Sequence, residues 1–411
     1  MGDMTVSVII VSRGRPDPLR RCLKAVAQLQ YRNFEVVVVA CPEGMAVTQE
    51  DGVLPDLKCV AFDEANISAA RNLGLVTAAG EIVAFIDDDA VPEPQWLRHL
   101  VAPAMRPDVA AMGGFVRGRN GITYQYKART LDAMGLPHDV EIDPYQATVL
   151  TPPKGRAIKT EGTNMAFRRE ILVGIGGFDP ALRFYLDETD VNMRLAQAGH
   201  ATALVPLAQV HHGFAASATR RQDRVPRDLF EIGASWAVFQ RKHIPKGARA
   251  AHWQGVCVTE RRRLLEHMGT GRLEPRDLTR LMKGLEAGFS EGQTRTLGPL
   301  KLPRHAELPF RRVNLPPRAS GFAVVRGLRG TAALRAAAGR VAAGRIETVL
   351  VLSPTAFFHR VYFDKSGVWV QRGGLFGRAN RSEPLFRLTT LARRAGRERA
   401  RVAHERGLAG G

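Results

Sequence analysis

The sequence predicts an α/β protein: a Rossmann-like, mostly parallel mixed sheet with helices on both faces, followed by a basic, mainly helical C-terminal extension containing a small β unit. Three observations carry the prediction. Over the first 200 residues, short runs rich in Val and Ile alternate with amphipathic stretches, the pattern of strands joined by crossover helices. One of these runs passes directly into three carboxylates, Asp87-Asp88-Asp89. After His212 the pattern changes to Arg-rich helical segments.

Buried strands are expected at residues 7–11, 35–39, 59–62 and 82–86, each short, apolar and β-branched. Between them, residues 16–29 place Leu19, Cys22, Leu23, Val26 and Leu29 at helical spacing, with Asp17 near the positive end of the helix dipole. A second helix is expected over 68–78, capped by Ser68 and closed before Gly80. In open sheets of this kind ligands bind at the carboxyl ends of the strands. The expected divisions are a catalytic domain over 1–245, a helical basic extension over 246–345, a small β unit over 346–392 and a basic tail over 393–411 that is a frayed helix or disordered. The β unit rests on a strand at 349–352 and on Val361-Tyr362-Phe363 and Val368-Trp369-Val370 flanking the turn Asp364-Lys365-Ser366-Gly367.

Composition bounds the function. The chain has 411 residues, 45% hydrophobic and 24% charged, which fits a globular protein of two or three domains. Cys22, Cys41, Cys59 and Cys257 lie far apart without a CxxC; this spacing argues against a zinc site or disulfide framework and fits a reducing cytoplasm. Arg13 and Arg15 cut the first apolar run short, so no signal peptide is expected, and no run approaches the roughly 18–20 residues of a membrane span. Any membrane association is expected to be peripheral. The net charge of +19 is uneven: residues 1–200 hold 21 Lys+Arg against 25 Asp+Glu, and residues 201–411 hold 38 against 15. A field of that sign favours anionic partners such as phospholipid surfaces, lipid-linked phosphates or acidic glycans, and a merely solvated basic surface explains it as well. Residues 326–345, alternating Ala, Val and Leu with Arg, are the candidate for a membrane interface, against the alternative of packing on the catalytic domain.

Three clusters carry the chemistry. Adjacent carboxylates raise one another's pKa, and a divalent cation with hard oxygen ligands removes that penalty, so Asp87-Asp88-Asp89 suits Mn²⁺ or Mg²⁺ together with a pyrophosphate. Asp187-Glu188-Thr189-Asp190 precedes a helix; helix capping accounts for one carboxylate, and a second is available as general base. His211 and His212 follow an apolar stretch at 203–207; neighbours on a strand point to opposite faces, so at most one meets a metal.

The order of these motifs resembles the family 2 glycosyltransferases over about the first 245 residues. Ser7-Val8-Ile9-Ile10-Val11 with Arg15-Pro16 is similar to the family's first strand and turn; Asn66, Ala70-Arg71-Asn72, Gly74 and Ala79-Gly80-Glu81 resemble its approach to the metal strand. Glu161-Gly162-Thr163-Asn164-Met165-Ala166-Phe167-Arg168, then Gly176-Gly177-Phe178-Asp179, resembles its acceptor-side segment, and Asp187-Glu188-Thr189-Asp190 with Arg194-Leu195 and Gly199 its ED-x-D helix.

The resemblance implies a GT-A type fold and an inverting transfer from a nucleotide-diphosphate sugar to a glycan or lipid-linked acceptor. It implies metal ligation by Asp87 and Asp89 of the DxD motif, with His212, or alternatively His211, as the late metal-binding His. It further implies Glu188 or Asp187 as base. The donor-binding candidates are Ser12, Arg15, Asn66, Arg71, Asn72, Asp87 and Asp88; the acceptor-binding candidates are Asn164, Asp190 and Trp96. Two departures stand out. Val39-Ala40-Cys41 replaces the strand end where the family has an Asp for the nucleotide base, and the Glu-Asp pair is reversed to Asp187-Glu188.

A nucleotidyltransferase is disfavoured because Ser12-Arg13-Gly14-Arg15 lacks a glycine-rich, lysine-bearing phosphate loop. Nucleic-acid binding by the C-terminal half is disfavoured because its Arg residues are scattered and aromatics are not interleaved as a stacking platform.

Overall fold

The computed structural model describes residues 3–50, 54–213, 215, 219–298 and 300–408. Residues 409–411, the end of the expected tail, lie outside the described residues. The four expected strands form: β1 (Val6–Ser12), β2 (Phe34–Ala40), β3 (Lys58–Ala61) and β4 (Ile82–Asp87) pair in parallel in the order β4-β1-β2-β3. Between them run α1 (Pro16–Val26), α2 (Pro42–Thr48) and α3 (Ile67–Thr77). The cap of α3 is Asn66, whose Oδ1 accepts from Ala69 N at 3.0 Å, not Ser68. Ser68 already lies inside the first turn and donates to the Leu182 carbonyl at 2.6 Å.

The chain continues through β5 (Ala90–Pro92), α4 (Trp96–Val101), β6 (Val109–Arg117) and β7 (Tyr124–Tyr126). A separate small sheet holds β8 (Arg129–Leu131), β9 (Pro137–Asp139) and β11 (Ala157–Lys159), while β10 (Thr148–Leu150), β12 (Asn164–Arg168) and β13 (Ala201–His212) join the main sheet. Its order is β10-β13-β6-β12-β4-β1-β2-β3. The sheet is mixed because β12 runs antiparallel to both β4 and β6, whereas β13 lies parallel to β6. After β12 come α5 (Arg169–Gly174) and α6 (Asp187–Gln197), and after β13 comes α7 (Phe230–His243).

Strand alternation divides the core. Val6, Val8 and Ile10 pack with Leu19 and Leu23 of α1 and with Trp96 on one face. Ile9, Val37, Val39 and Phe85 pack with Leu75 of α3 and Leu195 of α6 on the other. With both faces covered, the strands are apolar almost throughout, which is why they read so clearly from sequence.

The C-terminal half departs from the expected helical extension at one strand, Ser320–Arg326. Helices α8 (Arg249–Gly269) and α9 (Pro275–Gly292) form as a hairpin, with α9 against α7; Gly233 and Gly288 sit where a Cβ would strike the facing backbone. Residues 300–319 are then extended and lie along the first sheet, with Arg311 N bonded to the buried Glu35 at 2.7 Å and Val313 N to Phe34 O at 2.9 Å. The prolines at 303, 309, 316 and 317 suit that conformation and exclude helix.

Next, β14 (Ser320–Arg326) is a strand inside the stretch expected to be helical. It pairs in parallel with β15 (Ile346–Ser353), and β15 with β17 (Trp369–Gly374); β16 (Arg360–Phe363) closes the order β14-β15-β17-β16 through the expected turn to β17. Helix α10 (Gly330–Ala342) packs Ala337 and Val341 against Val349, Val351 and Val370, so the apolar face of α10 covers this second sheet.

Finally, the tail folds as α11 (Leu391–Arg401) and α12 (Ala403–Arg406). Buried Arg394 and Glu398 pair at 3.0 Å, which explains how so basic a segment is held. All four cysteines are free. Among the described residues, no helix is long and apolar enough to cross a membrane.

Candidate active site

The site lies at the carboxyl ends of β1 and β4, extended by β5, β13 and the start of α6. Pairing of β13 with β5 sets His212 opposite Ala90, beside Asp89, and this register gathers residues 123 positions apart. Ligand atoms of Asp87, Asp89 and His212 all lie within 4.8 Å of one another. His212 Nε2 is 3.2 Å from Asp89 Oδ1, and its Nδ1 meets Gln125 Oε1 at 2.9 Å. Burial opposes ionisation of Asp89, yet His212, Arg15 and the Ala215 N–H (2.7 Å) together hold its pKa below the usual carboxylate range. Two hard carboxylates and an imidazole, converging but not joined by a cation of the chain at their centre, form a donor set suited to Mn²⁺ or Mg²⁺.

His211 turns to the opposite side, where Nε2 meets Glu93 Oε1 at 2.8 Å and the ring lies 5.1 Å from Trp369. That removes the alternative assignment of the metal histidine. Asp88 likewise points inward: Ser12 Oγ donates to Oδ2 at 2.7 Å and Arg15 Nη2 lies 3.0 Å from Oδ1. Its burial outweighs those contacts and pushes its pKa up to about 7. Ser12, Arg15 and Asp88 thus brace one another beside Asp89, which Arg15 reaches at 3.6 Å.

Asp87 accepts from Thr163 Oγ1 at 2.6 Å and lies 3.4 Å from Arg71 Nη2. The buried Arg71 also pairs with Asp187 through Nη1 and donates to Gly162 O at 3.1 Å. One guanidinium therefore ties the acidic end of β4 to the start of α6. The chain enters α6 through Tyr185 (φ 77°) and Leu186 (φ 64°), two left-handed residues without glycine, a conformation held only where the surroundings enforce it.

The two candidate bases differ in surroundings. The Asp187 side chain is 5% exposed and bound to Arg71; burial, partly offset by Arg71, pushes its pKa up to about 7. The Glu188 side chain is 18% exposed, with Lys159 Nζ 3.1 Å from Oε1. Burial opposes its ionisation as well, but Lys159 and Arg71 hold its pKa below the ordinary value.

Several expected ligand contacts are used up inside the fold. Asn66 caps α3 and donates to Pro180 O at 3.0 Å; Asn72 makes a paired hydrogen bond with the Phe178 backbone at 2.7 and 2.9 Å. Trp96 and Asn164, expected on the acceptor side, are fully buried: Trp96 Nε1 donates to Asn164 Oδ1 at 2.7 Å, and Asn164 Nδ2 donates to the carbonyls of Phe115 and Ala208. Asp190 is held by Arg194, Lys242 and His243 at 2.7–2.8 Å and anchors α7. Asn72, Trp96, Asn164 and Asp190 are buried and shape the site from within, whereas Asn66 is partly exposed at the start of α3.

Lys159, Thr163 and Gln125 were not singled out from sequence. Thr163 sits in the quoted Glu161–Arg168 segment, whereas Lys159 and Gln125 carry no local signal, because the sheet alone brings them in. Cys41, at the departure from the family pattern, is buried; its thiol takes the Gly14 N–H at 3.1 Å and meets Glu43 at 3.0 Å, so a carboxylate stands here two residues late. Beside His212, a cavity of about 140 Å³ is lined by Arg21, Arg119 and Tyr362, the last from the second sheet.

The parallel strands, their acidic carboxyl edge and the late histidine define an α/β protein of GT-A type. Residues 3–229 match the family described as "Glycosyltransferase like family 2". The chain belongs to this family. It is 31% identical over 264 residues to the O-antigen biosynthesis protein RfbC of Myxococcus xanthus, covering 60% of this chain and 20% of that protein. It is 27% identical over 273 residues to the pre-mycofactocin glycosyltransferase of Mycobacterium tuberculosis, covering 65% of this chain and 53% of that one. The chain thus matches a fifth to about half of the length of these relatives. Among solved structures it resembles GalNAc-T7 with UDP, GalNAc and Mn²⁺, with a TM-score of 0.44 and 18% identity over 58% of this chain and 48% of that one.

Proposed function

We propose that the chain is an inverting, metal-dependent glycosyltransferase that moves a sugar from a nucleotide-diphosphate donor to a hydroxyl of a glycan or lipid-linked acceptor. Its setting is cell-envelope or exopolysaccharide synthesis at the cytoplasmic face of the membrane. The observation that carries this reading is the convergence of Asp87, Asp89 and His212, tied through Arg71 to the acid pair of α6.

Asp87, Asp89 and His212 would hold Mn²⁺ or Mg²⁺, which when bound offsets the charge of a diphosphate leaving group. Ser12 and Arg15 keep Asp88 turned inward and steady Asp89. Asp187, saturated by Arg71, positions that guanidinium; Glu188, ionised and partly open to solvent, is the base. The acceptor hydroxyl gives its proton to a Glu188 oxygen, the acceptor oxygen bonds to the anomeric carbon, and the bond to the diphosphate oxygen breaks with its electron pair leaving on the diphosphate. Lys159 keeps Glu188 charged through the neutral range and fixes its direction.

Initial rates of diphosphate release with a panel of nucleotide sugars test the assignment. Glu188→Gln is expected to lower kcat by roughly 10²–10⁴-fold while thermal stabilisation by nucleotide persists. Wild-type turnover in that variant overturns the base assignment.

A further inference from the structure

The second sheet carries an apolar edge that the transferase reading does not use. Its strands β15 and β17 begin against the first sheet, where Ile346 and Trp369 pack with Val91 of β5 and Ala25 of α1, while Ser320 Oγ at the start of β14 donates to Arg406 O of α12 at 2.6 Å. The three strands end together on the other side, where Arg326 of β14 pairs with Leu352 of β15, and Ser353 with Gly374 of β17. The two segments leaving β15 and β17 are in mutual contact, and Gly327–Arg329, leaving β14, lies beside β15. Leu375 N bonds Ser353 O at 2.8 Å, Phe376 N bonds Thr355 O at 3.1 Å, Gly374 N bonds Phe357 O at 3.0 Å, and Phe386 bridges to Gly377.

From this edge project Leu328, fully exposed, with Phe357, Phe358, Leu385, Phe386 and Leu388; Phe357 is 72% and Leu388 78% exposed. Phe357 and Phe358 are adjacent and the Phe386 ring packs 5.6 Å from Phe376; exposed apolar side chains gathered in this way mark an interaction surface. The same segments carry Arg326, Arg329, Arg360, Arg378, Arg381 and Arg387 against a single carboxylate, Glu383, already paired with Arg401 at 2.6 Å. The Arg378 guanidinium lies over the Phe358 ring at 4.4 Å, its charge beside an apolar face.

We propose that this edge docks on an anionic phospholipid bilayer. The aromatic and leucine side chains enter the boundary between headgroups and acyl chains, and the guanidiniums remain at the phosphates. Charge complementarity selects an anionic partner, and the side-chain types select lipid over nucleic acid: three of the six apolar residues are leucines, which give a base no ring to stack on. The docked surface is formed by these loops and not by the α10 face. It stands independently of the transferase chemistry, and if that chemistry holds as well, it places the site beside lipid-linked acceptors.

Flotation of the full chain with phosphatidylcholine vesicles, with and without phosphatidylglycerol, tests the proposal without donor or acceptor. Binding is expected only with phosphatidylglycerol, weakened by salt, and reduced roughly fivefold or more in Phe357→Ser/Phe358→Ser at an unchanged Tm. A second variant, Arg378→Gln/Arg387→Gln, is expected to lose the preference for anionic vesicles. Equal capture by neutral vesicles, no capture at all, or undiminished capture of both variants would overturn it. Tighter binding to single-stranded DNA than to the vesicles would reassign the edge to nucleic acid and overturn it equally.

Discussion

Two carboxylate–imidazole pairs join β13 to the two ends of β5, Asp89 just before it with His212 and Glu93 just after it with His211, the histidines being neighbours on β13. They face opposite ways and differ in what completes them. Glu93 is closed by a cation of the chain itself: Arg406 approaches it through Nε at 2.9 Å and Nη2 at 3.0 Å, stacks 4.4 Å from Trp369 and reaches Thr348 of the second sheet at 3.1 Å. Asp89 and Asp87 are met from the sides, by Arg15 at 3.6 Å and Arg71 at 3.4 Å. The same residue types thus make a closed lock at Glu93, and at Asp89 the convergent group on which the proposed cation site rests.

The comparison is broken most severely by Arg406→Ala. Glu93 is buried, and leaving its charge without the guanidinium is expected to cost about 3–5 kcal/mol of unfolding free energy, read by urea denaturation; a loss near zero would mean that the lock is ornamental. A smaller and opposite signature is expected at the other pair. His212→Ala should cut metal-dependent turnover by at least roughly 100-fold, since even the partners of metal ligands are worth about 10–100-fold, with little change in stability. His211→Ala should do the reverse, removing about 1–3 kcal/mol of stability as Glu93 loses a donor while initial rates stay near wild type. Matching phenotypes for the two histidines would dissolve the distinction.

What was legible in the sequence follows the same physics. β1, β2 and β4 are covered on both faces, so Val and Ile runs marked them, and the acid triplet at the end of β4 marked the edge of the sheet. The choice between His211 and His212 was not legible, because it depends on the pairing of β13 with Ala90–Pro92. Core packing for Trp96 and a turn-fixing role for Asn72 were open readings from the residue types alone, whereas the interior role of Asn164 shows only in the packing, where Trp96 and two backbone carbonyls take its polar atoms. The strand at Ser320–Arg326 was obscured by Arg-rich neighbours and flanking prolines. In the tail the helical alternative is the one that forms; what the sequence did not show is how it is held, since its arginines neutralise buried Glu398 and Glu93, partners distant or unremarkable in sequence.

The central claim is that Asp87, Asp89 and His212 form a cation site serving a nucleotide diphosphate. Thermal stabilisation of the purified chain by a panel of nucleotide diphosphates, with Mn²⁺, with Mg²⁺ and with EDTA, tests it most directly when repeated on Asp89→Ala. The account predicts a shift with one nucleotide that requires the metal, is abolished by EDTA and is absent in the variant. A nucleotide-dependent shift of equal size in EDTA, or one retained by Asp89→Ala, would contradict it.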